Sequence, residues 1–150
     1  MPECREQIWM QIRRLQHSLH EITRRREIVP PAAALLIRLS ELEAPGEGVV
    51  MKQLARELCV TKASVSQLAG MLEKDGLLTR STNPHNRRYV YIGLTPQGRE
   101  AARREQAFYG KLADDVFAQL SEEERAMVDA IIKHAAQIME EKAAQGRTEE

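Results

Sequence analysis

Cysteine is scarce: Cys4 and Cys59 are the only two in 150 residues, far apart and without metal-type spacing. That excludes a disulfide framework and suits a reducing compartment. Long apolar runs are missing too. The longest stretch free of strongly polar residues, Val29 to Ile37, contains two prolines and falls far short of the roughly 20 residues a membrane span needs. The N-terminus carries Glu3, Arg5 and Glu6 where a signal peptide would have an apolar stretch and a small-residue cleavage site. A soluble, cytoplasmic protein without membrane contact is expected. There is no phosphate-binding glycine loop, no nucleophile elbow and no metalloprotease helix, and the His, Ser and acidic residues show no triad spacing. These absences argue against an enzyme, and neither cofactor nor metal is expected.

Net charge is absent as well, since 22 Lys and Arg offset 22 Asp and Glu. The balance hides an uneven distribution. Residues 49–95 hold seven bases (Lys52, Arg56, Lys62, Lys74, Arg80, Arg87, Arg88) against three acids (Glu57, Glu73, Asp75), a local charge of +4. Residues 111–150 hold five bases against ten acids, a local charge of −5. A basic middle on a neutral chain is the pattern of a local nucleic-acid footprint.

The length suits one compact domain with a core of its own, and the pattern along it is mainly helical. From about Arg5 to Arg26, the residues Ile8, Ile12, Leu15, Leu19 and Ile22 recur at steps of four and three. This predicts a helix with one narrow apolar seam, suited to packing on another helix. Pro30-Pro31 ends that segment and opens the next. A helix from about Ala32 to Leu42 would bury Leu35, Leu36, Leu39 and Leu42, and Glu43 to Gly48, with one proline and two glycines, reads as a loop.

Two short helices follow, Met51 to about Leu58 and Lys62 to about Lys74, separated only by Cys59-Val60-Thr61. Thr61 can cap the second helix through its hydroxyl, and the tight spacing reads as a helix-turn-helix. Gly76 can take the left-handed conformation that closes the second helix. Leu77 to Arg80 and Arg88 to Ile92 then read as strands, joined through Asn83-Pro84-His85-Asn86 into a hairpin with a doubly basic tip. Thr95-Pro96 starts a long helix carrying Ala101, Ala102, Phe108, Leu112, Val116 and Phe117. Ser121 and Glu124 form a capping-box signature for a last helix. Its apolar face would comprise Met127, Val128, Ile131, Ile132, Ala135 and Met139, and Ala143 to Glu150 reads as a frayed polar tail.

The second helix of a helix-turn-helix can enter the major groove and read base edges near its N-terminus. Lys62, Ser64, Ser66 and Gln67 carry suitable groups, with Thr61 and the helix N-terminus beside a phosphate. The hairpin arginines Arg87 and Arg88 suit the adjacent minor groove. The segment Leu54 to Thr95 resembles the MarR family of transcriptional regulators. The resemblance is carried by Thr61-Lys62-Ala63-Ser64-Val65-Ser66, by Leu72-Glu73-Lys74-Asp75-Gly76-Leu77-Leu78-Thr79-Arg80, and by the wing signature DxRxxxxxLT, which falls on Asn86, Arg88, Leu94 and Thr95. It implies a winged helix-turn-helix lobe over residues 32–95 and dimerisation helices over 5–26 and 96–142, all in one domain of 150 residues.

The resemblance further implies a homodimer on a pseudo-palindromic double-stranded DNA operator, repressing transcription until a small-molecule effector releases it. Carried over residue by residue, Arg88 is the minor-groove arginine and Ser64, Ser66 and Gln67 face the major groove; Thr61, Lys62, Lys74, Arg80 and Arg87, read from the helix-turn-helix and its bases, complete the expected DNA-binding set. The dimer interface would take Ile8, Trp9, Ile12, Leu15, Leu19, Phe117, Ile131 and Ile132. The chain departs from the family at Asn86, where the wing aspartate is common, at Gln67, where arginine is common, and at Gly70-Met71, where an Asp-Arg pair is common. Its recognition helix is therefore less basic than usual.

Simpler readings stand beside these. The Ile8 to Ile22 seam fits either its own chain or a partner, and the partner is favoured because the rest of the core is already supplied. Trp9 fits that interface or an effector pocket. His17, His20 and Glu21 share a helical face with metal-ligand spacing, but nothing completes the set, so an exposed polar face is the simpler account. Cys4 beside Arg5, or Cys59 near Arg56, has the basic neighbours an oxidant sensor needs, and an idle thiol is the simpler account. The competing function is a winged-helix module that binds protein instead of DNA, which a steep salt dependence would separate from DNA binding.

Overall fold

The computed structural model describes residues 2–43 and 48–146, with side chains described from Cys4 to Lys142. Most of the expected loop, at residues 44–47, and the chain end at 147–150 lie outside the described residues. The elements run α1 (Pro2–Thr23), α2 (Pro30–Leu42), β1 (Val49–Val50), α3 (Met51–Glu57), α4 (Lys62–Lys74), β2 (Leu78–Asn83), β3 (Asn86–Leu94), α5 (Pro96–Phe117) and α6 (Glu122–Gly146). By contacts the chain divides into two compact units, residues 1–106 and 107–150.

The first unit holds the core. Leu35, Leu36 and Leu39 of α2, Leu54 of α3, Val65, Ala69 and Leu72 of α4, Leu78, Ile92 and Leu94 of the sheet, and Ala101 and Ala102 of α5 are all buried. Each leucine removed from water in this way contributes about 1.5–3 kcal/mol before the entropy of ordering is counted. Leu42, expected to be buried, is only partly so and packs, like Leu58 and Leu68, at the edge of this cluster. The sheet has the order β1-β3-β2. Its edge strand β1 pairs Val49 with Ile92 and Val50 with Tyr91, and two residues are too few for an alternating pattern to announce.

Helix α1 stops three residues before the expected Arg26. The Thr23 hydroxyl donates to the Leu19 carbonyl at 2.8 Å, a back-bond that competes with helix propagation. Arg26 is instead drawn to Glu105, donating from Nη2 to Oε1 at 2.6 Å and from Nε to Oε2 at 3.2 Å. Glu105 is only 4% exposed, so this two-pronged pair meets the condition under which a buried carboxylate is tolerated. Helix α2 starts two residues earlier than expected, with Pro30 and Pro31 inside its first turn.

Both helices of the helix-turn-helix are closed by the same device. After α4, Gly76 has φ +71°, with Gly76 N–H donating to Glu73 O at 3.0 Å and Leu77 N–H to Leu72 O at 2.9 Å. After α3, Cys59 takes the equivalent place with φ +54°. Its N–H donates to Arg56 O at 3.1 Å and Val60 N–H to Ala55 O at 3.0 Å. This is the paired closure that glycine normally serves, here built on a cysteine.

In the second unit the expected capping box opens α6. Glu124 N–H donates to Ser121 Oγ at 3.2 Å, and Ser121 N–H donates to Glu124 Oε2 at 2.8 Å. Helix α6 runs four residues past Lys142, where a tail was expected, because Ala143, Ala144 and Gln145 are good helix formers. The side chains of Met127, Val128, Ile131, Ile132 and Met139 on α6 face solvent, as do Val116 and Phe117 at the end of α5. Helix α1, in the first unit, is likewise exposed along its seam: Ile8, Trp9, Ile12, Leu15, Leu19 and Ile22 all lie open, Leu15 to 72%. Among the described residues, no helix is long and apolar enough to cross a membrane.

Candidate nucleic-acid interface

Helix α4 buries Val65, Ala69 and Leu72 and therefore turns Ala63, Gln67, Met71 and Lys74 outward, half a turn away and all exposed. The residues between the two stripes are used internally. Thr61 caps α4, its Oγ1 accepting the Ser64 N–H at 3.1 Å and lying 2.8 Å from Ser64 Oγ. Ser66 is bound by Arg80 of β2, whose Nη2 donates to Ser66 O at 2.6 Å and Nη1 to Ser66 Oγ at 3.4 Å. Arg80 Nε also lies 3.3 Å from Glu73 Oε2. Gly70 makes room for this guanidinium, since a Cβ at that position would sit 3.1 Å from Arg80 Nη2. The departure from the family at residue 70 thus has a local reason: the wing strand is latched across the helix there.

Of the nine residues expected to meet DNA, Thr61, Lys62, Gln67, Lys74, Arg87 and Arg88 are exposed, while Ser64, Ser66 and Arg80 are half-buried in the contacts just described. All nine belong to the first unit. Lys62 and Lys74 occupy the first and last positions of α4. Lys52 and Arg56 add two exposed bases on α3. The neighbouring acid Glu57 is neutralised by Arg38, which hydrogen-bonds it and holds its carboxyl below the ordinary value.

The wing differs in detail from the expected basic tip. The turn itself is Pro84-His85, and Arg87 and Arg88 lie just inside β3. The ladder pairs Thr82 with Val90 and then Asn83 with Asn86, so Arg87, Arg88 and Tyr89 have no partner on β2. Such a bulge frees side chains from the regular pleat and re-aims them. Two asparagines shape it, as Asn83 Oδ1 accepts the His85 N–H at 2.9 Å and Asn86 Oδ1 accepts the Arg88 N–H at 3.2 Å. Asn86 therefore holds the backbone of Arg88, a contact available to a neutral amide, and leaves the exposed guanidinium to its own devices.

The far end of the wing signature anchors the hairpin. Leu94 is buried, and its N–H donates to Glu43 Oε1 at 3.1 Å, while Arg99 holds the other oxygen of Glu43 at 3.1 Å. Thr95 Oγ1 donates to Gly76 O at 2.7 Å and accepts the Gly98 N–H at 3.0 Å. One threonine thus caps α5 and ties it to the end of α4. The sequence reading missed the Arg80 latch, the Glu43 clamp and the Arg26–Glu105 pair. Each joins residues at least 14 positions apart, which no local pattern signals, although Gly70 within a helix was a visible sign that something approaches closely. His17, His20 and Glu21 are exposed on α1, with Glu21 paired to Arg24 at 3.2 Å, and Cys4 and Cys59 are both free and exposed.

Comparison with known proteins agrees with this geometry. The MarR family profile matches residues 28–90. An uncharacterised HTH-type transcriptional regulator of Bacillus subtilis (strain 168), YdcH, is 30% identical over 102 residues, 67% of this chain and 69% of the relative. A second, YwhA of the same organism, is 32% identical over 87 residues, and a putative transcriptional regulatory protein for the hcr operon of Thauera aromatica is 29% identical over 98. The chain spans about three fifths of the length of these last two, 63% and 59%. Among solved structures, Staphylococcus aureus MepR bound to DNA superimposes with a TM-score of 0.75 at 22% identity, covering 85% of this chain and 95% of that one. Streptomyces coelicolor PcaV with its natural ligand gives 0.74 at 21% identity, covering 85% and 89%. At these identities the structural likeness establishes the winged-helix fold.

Proposed function

Because the chain belongs to the MarR family, we propose that it is a sequence-specific double-stranded DNA-binding transcriptional regulator, acting in the cytoplasm as a homodimer and without a catalytic role. The observation that carries this reading is the joint presentation, on one unit, of the outward face of α4 and the bulged wing arginines Arg87 and Arg88. Gln67 and the flanking Lys62 and Lys74 address the major groove and its phosphates, and Arg88 addresses the minor groove. Arg80 and Ser66 serve by holding α4 and the wing in register, and Thr61 and Ser64 by capping α4.

Dimerisation is supported by the apolar side chains that α1, α5 and α6 leave to solvent, among them Ile8, Trp9, Ile12, Leu15, Leu19, Phe117, Ile131 and Ile132. Exposed apolar surface on this scale marks an interaction site. A twofold dimer would read two half-sites about one helical turn apart. Repression, with release by a small effector, completes the reading; it rests on the family and on the neighbour PcaV, which was solved with a natural ligand. An effector acts only through its differential affinity for the DNA-competent and incompetent arrangements.

Arg88→Ala tests the assignment. It should weaken DNA binding and lower the slope of log K against log salt by about 1, whereas Gln67→Ala should chiefly alter base preference. Unchanged affinity of Arg88→Ala at physiological salt would remove the wing from the interface. Tight binding of another protein by the lobe, with no salt-dependent DNA binding, would favour the protein-interaction reading instead.

A further inference from the structure

The outward stripe of α4 has an unusual chemistry for a surface that meets bases. Ala63, Gln67 and Met71 follow one another at steps of four residues, so they line a single face. Their span along the axis is about 12 Å at a rise of about 1.5 Å per residue, enough to pass three or four base pairs at about 3.4 Å each. Met71 is an apolar side chain left 40% exposed on this face. The neighbouring hydroxyls are turned elsewhere, Ser64 to Thr61 and Ser66 to Arg80. Between the two lysines at its ends, the face therefore presents one amide and two apolar groups.

Each of these has a preferred partner in the major groove. A glutamine amide matches the donor–acceptor pair of adenine N6 and N7, and apolar side chains match the C5-methyl of thymine. Guanine is read bidentately by arginine or lysine; α4 itself supplies neither in the middle of this face, and the nearby Arg80 guanidinium is engaged by Ser66 and Glu73. We propose, resting on the DNA-binding reading above, that α4 selects A·T base pairs at the centre of each half-site, with Gln67 on an adenine and Ala63 and Met71 against thymine methyl groups. Met71 is thereby a specificity-determining residue.

The test uses the full-length protein and an operator selected from random double-stranded DNA. Each thymine of one half-site is replaced in turn by deoxyuridine, which removes the methyl and leaves the pairing intact. Loss of a buried methyl contact should weaken binding about four-fold. Met71→Ala should weaken binding to the thymine operator by a similar factor and should no longer distinguish thymine from uracil at one of the sensitive positions, a coupling that altered DNA shape alone would not produce. An operator bound with steep salt dependence but with G·C pairs at the half-site centre, or with affinity indifferent to every deoxyuridine, overturns this proposal while leaving the DNA-binding reading intact. Failure to select any DNA overturns both.

Discussion

Replacing Gly98 by alanine sets two effects of opposite sign against each other, and the geometry decides between them. Gly98 lies in the first turn of α5, where alanine would gain up to about 1 kcal/mol of helix propensity. A Cβ built there would fall 1.7 Å from Leu77 O and 2.8 Å from the Leu77 carbonyl carbon, whereas real Cβ atoms essentially never approach within 3.0 Å. The obstacle is backbone at the base of the wing hairpin, so it cannot rotate away. Helix and carbonyl must part by at least 1.3 Å, the difference between that limit and the 1.7 Å approach. The same carbonyl accepts the Thr95 N–H at 3.1 Å, and Thr95 Oγ1 in turn joins Gly98 N–H to Gly76 O. Losing these bonds costs about 1 kcal/mol each and overpacking about 1–3 kcal/mol more. The net expectation is a destabilisation of about 3–5 kcal/mol, seen as a lower urea midpoint and a melting temperature reduced by roughly 6–20 °C. Wild type and variant are compared at one protein concentration, since association shifts apparent stability. A Gly98→Ala protein as stable as wild type, or more so, would refute the close approach of α5 to Leu77.

Cys59→Gly should stabilise the fold by about 0.5–1 kcal/mol in urea unfolding, because a left-handed side chain costs about 1–2 kcal/mol and the added chain freedom of glycine takes back part of that; no gain would mean Cys59 is unstrained at φ +54°. Arg80→Met should cost about 1–2 kcal/mol of stability after discounting for partial solvent screening, and should weaken DNA binding with little change in salt slope, whereas a slope reduced by about 1 would show Arg80 on a phosphate. Glu124 accepts the Ser121 backbone N–H, which holds its carboxyl below the ordinary 4.5. Its stabilising effect is complete above that value and is lost as pH falls through the lowered one. Glu124→Gln keeps the capping box but should show a shallower loss of stability on acidification, and identical acid profiles would discount the bond.

The elements that could be read from the sequence were those whose ends carry their own chemistry. Thr61, Gly76, Thr95 and Ser121 each stop or start a helix through a bond made within a few residues, so local reasoning reaches them. The contact made just beyond the end of α1 escaped because Arg26 pairs with Glu105, 79 positions away. Strand β1 escaped because it exists only by pairing with β3. Cys59 was read as part of a turn, but its left-handed conformation follows from the geometry of a closure that glycine usually fills. At the site, the identity of the basic residues was legible, whereas the division of labour was not. Ser66 and Arg80 both looked like DNA contacts in the sequence and are engaged with each other in the fold, and the wing arginines owe their placement to a bulge that no periodicity reports.

The most direct test of the central claim is selection of tight-binding sites from random double-stranded DNA at two salt concentrations, followed by the stoichiometry of the selected complex. The account predicts an inverted repeat with half-sites about one helical turn apart, bound by two protomers and lost steeply as salt rises. No enrichment at either salt would contradict it.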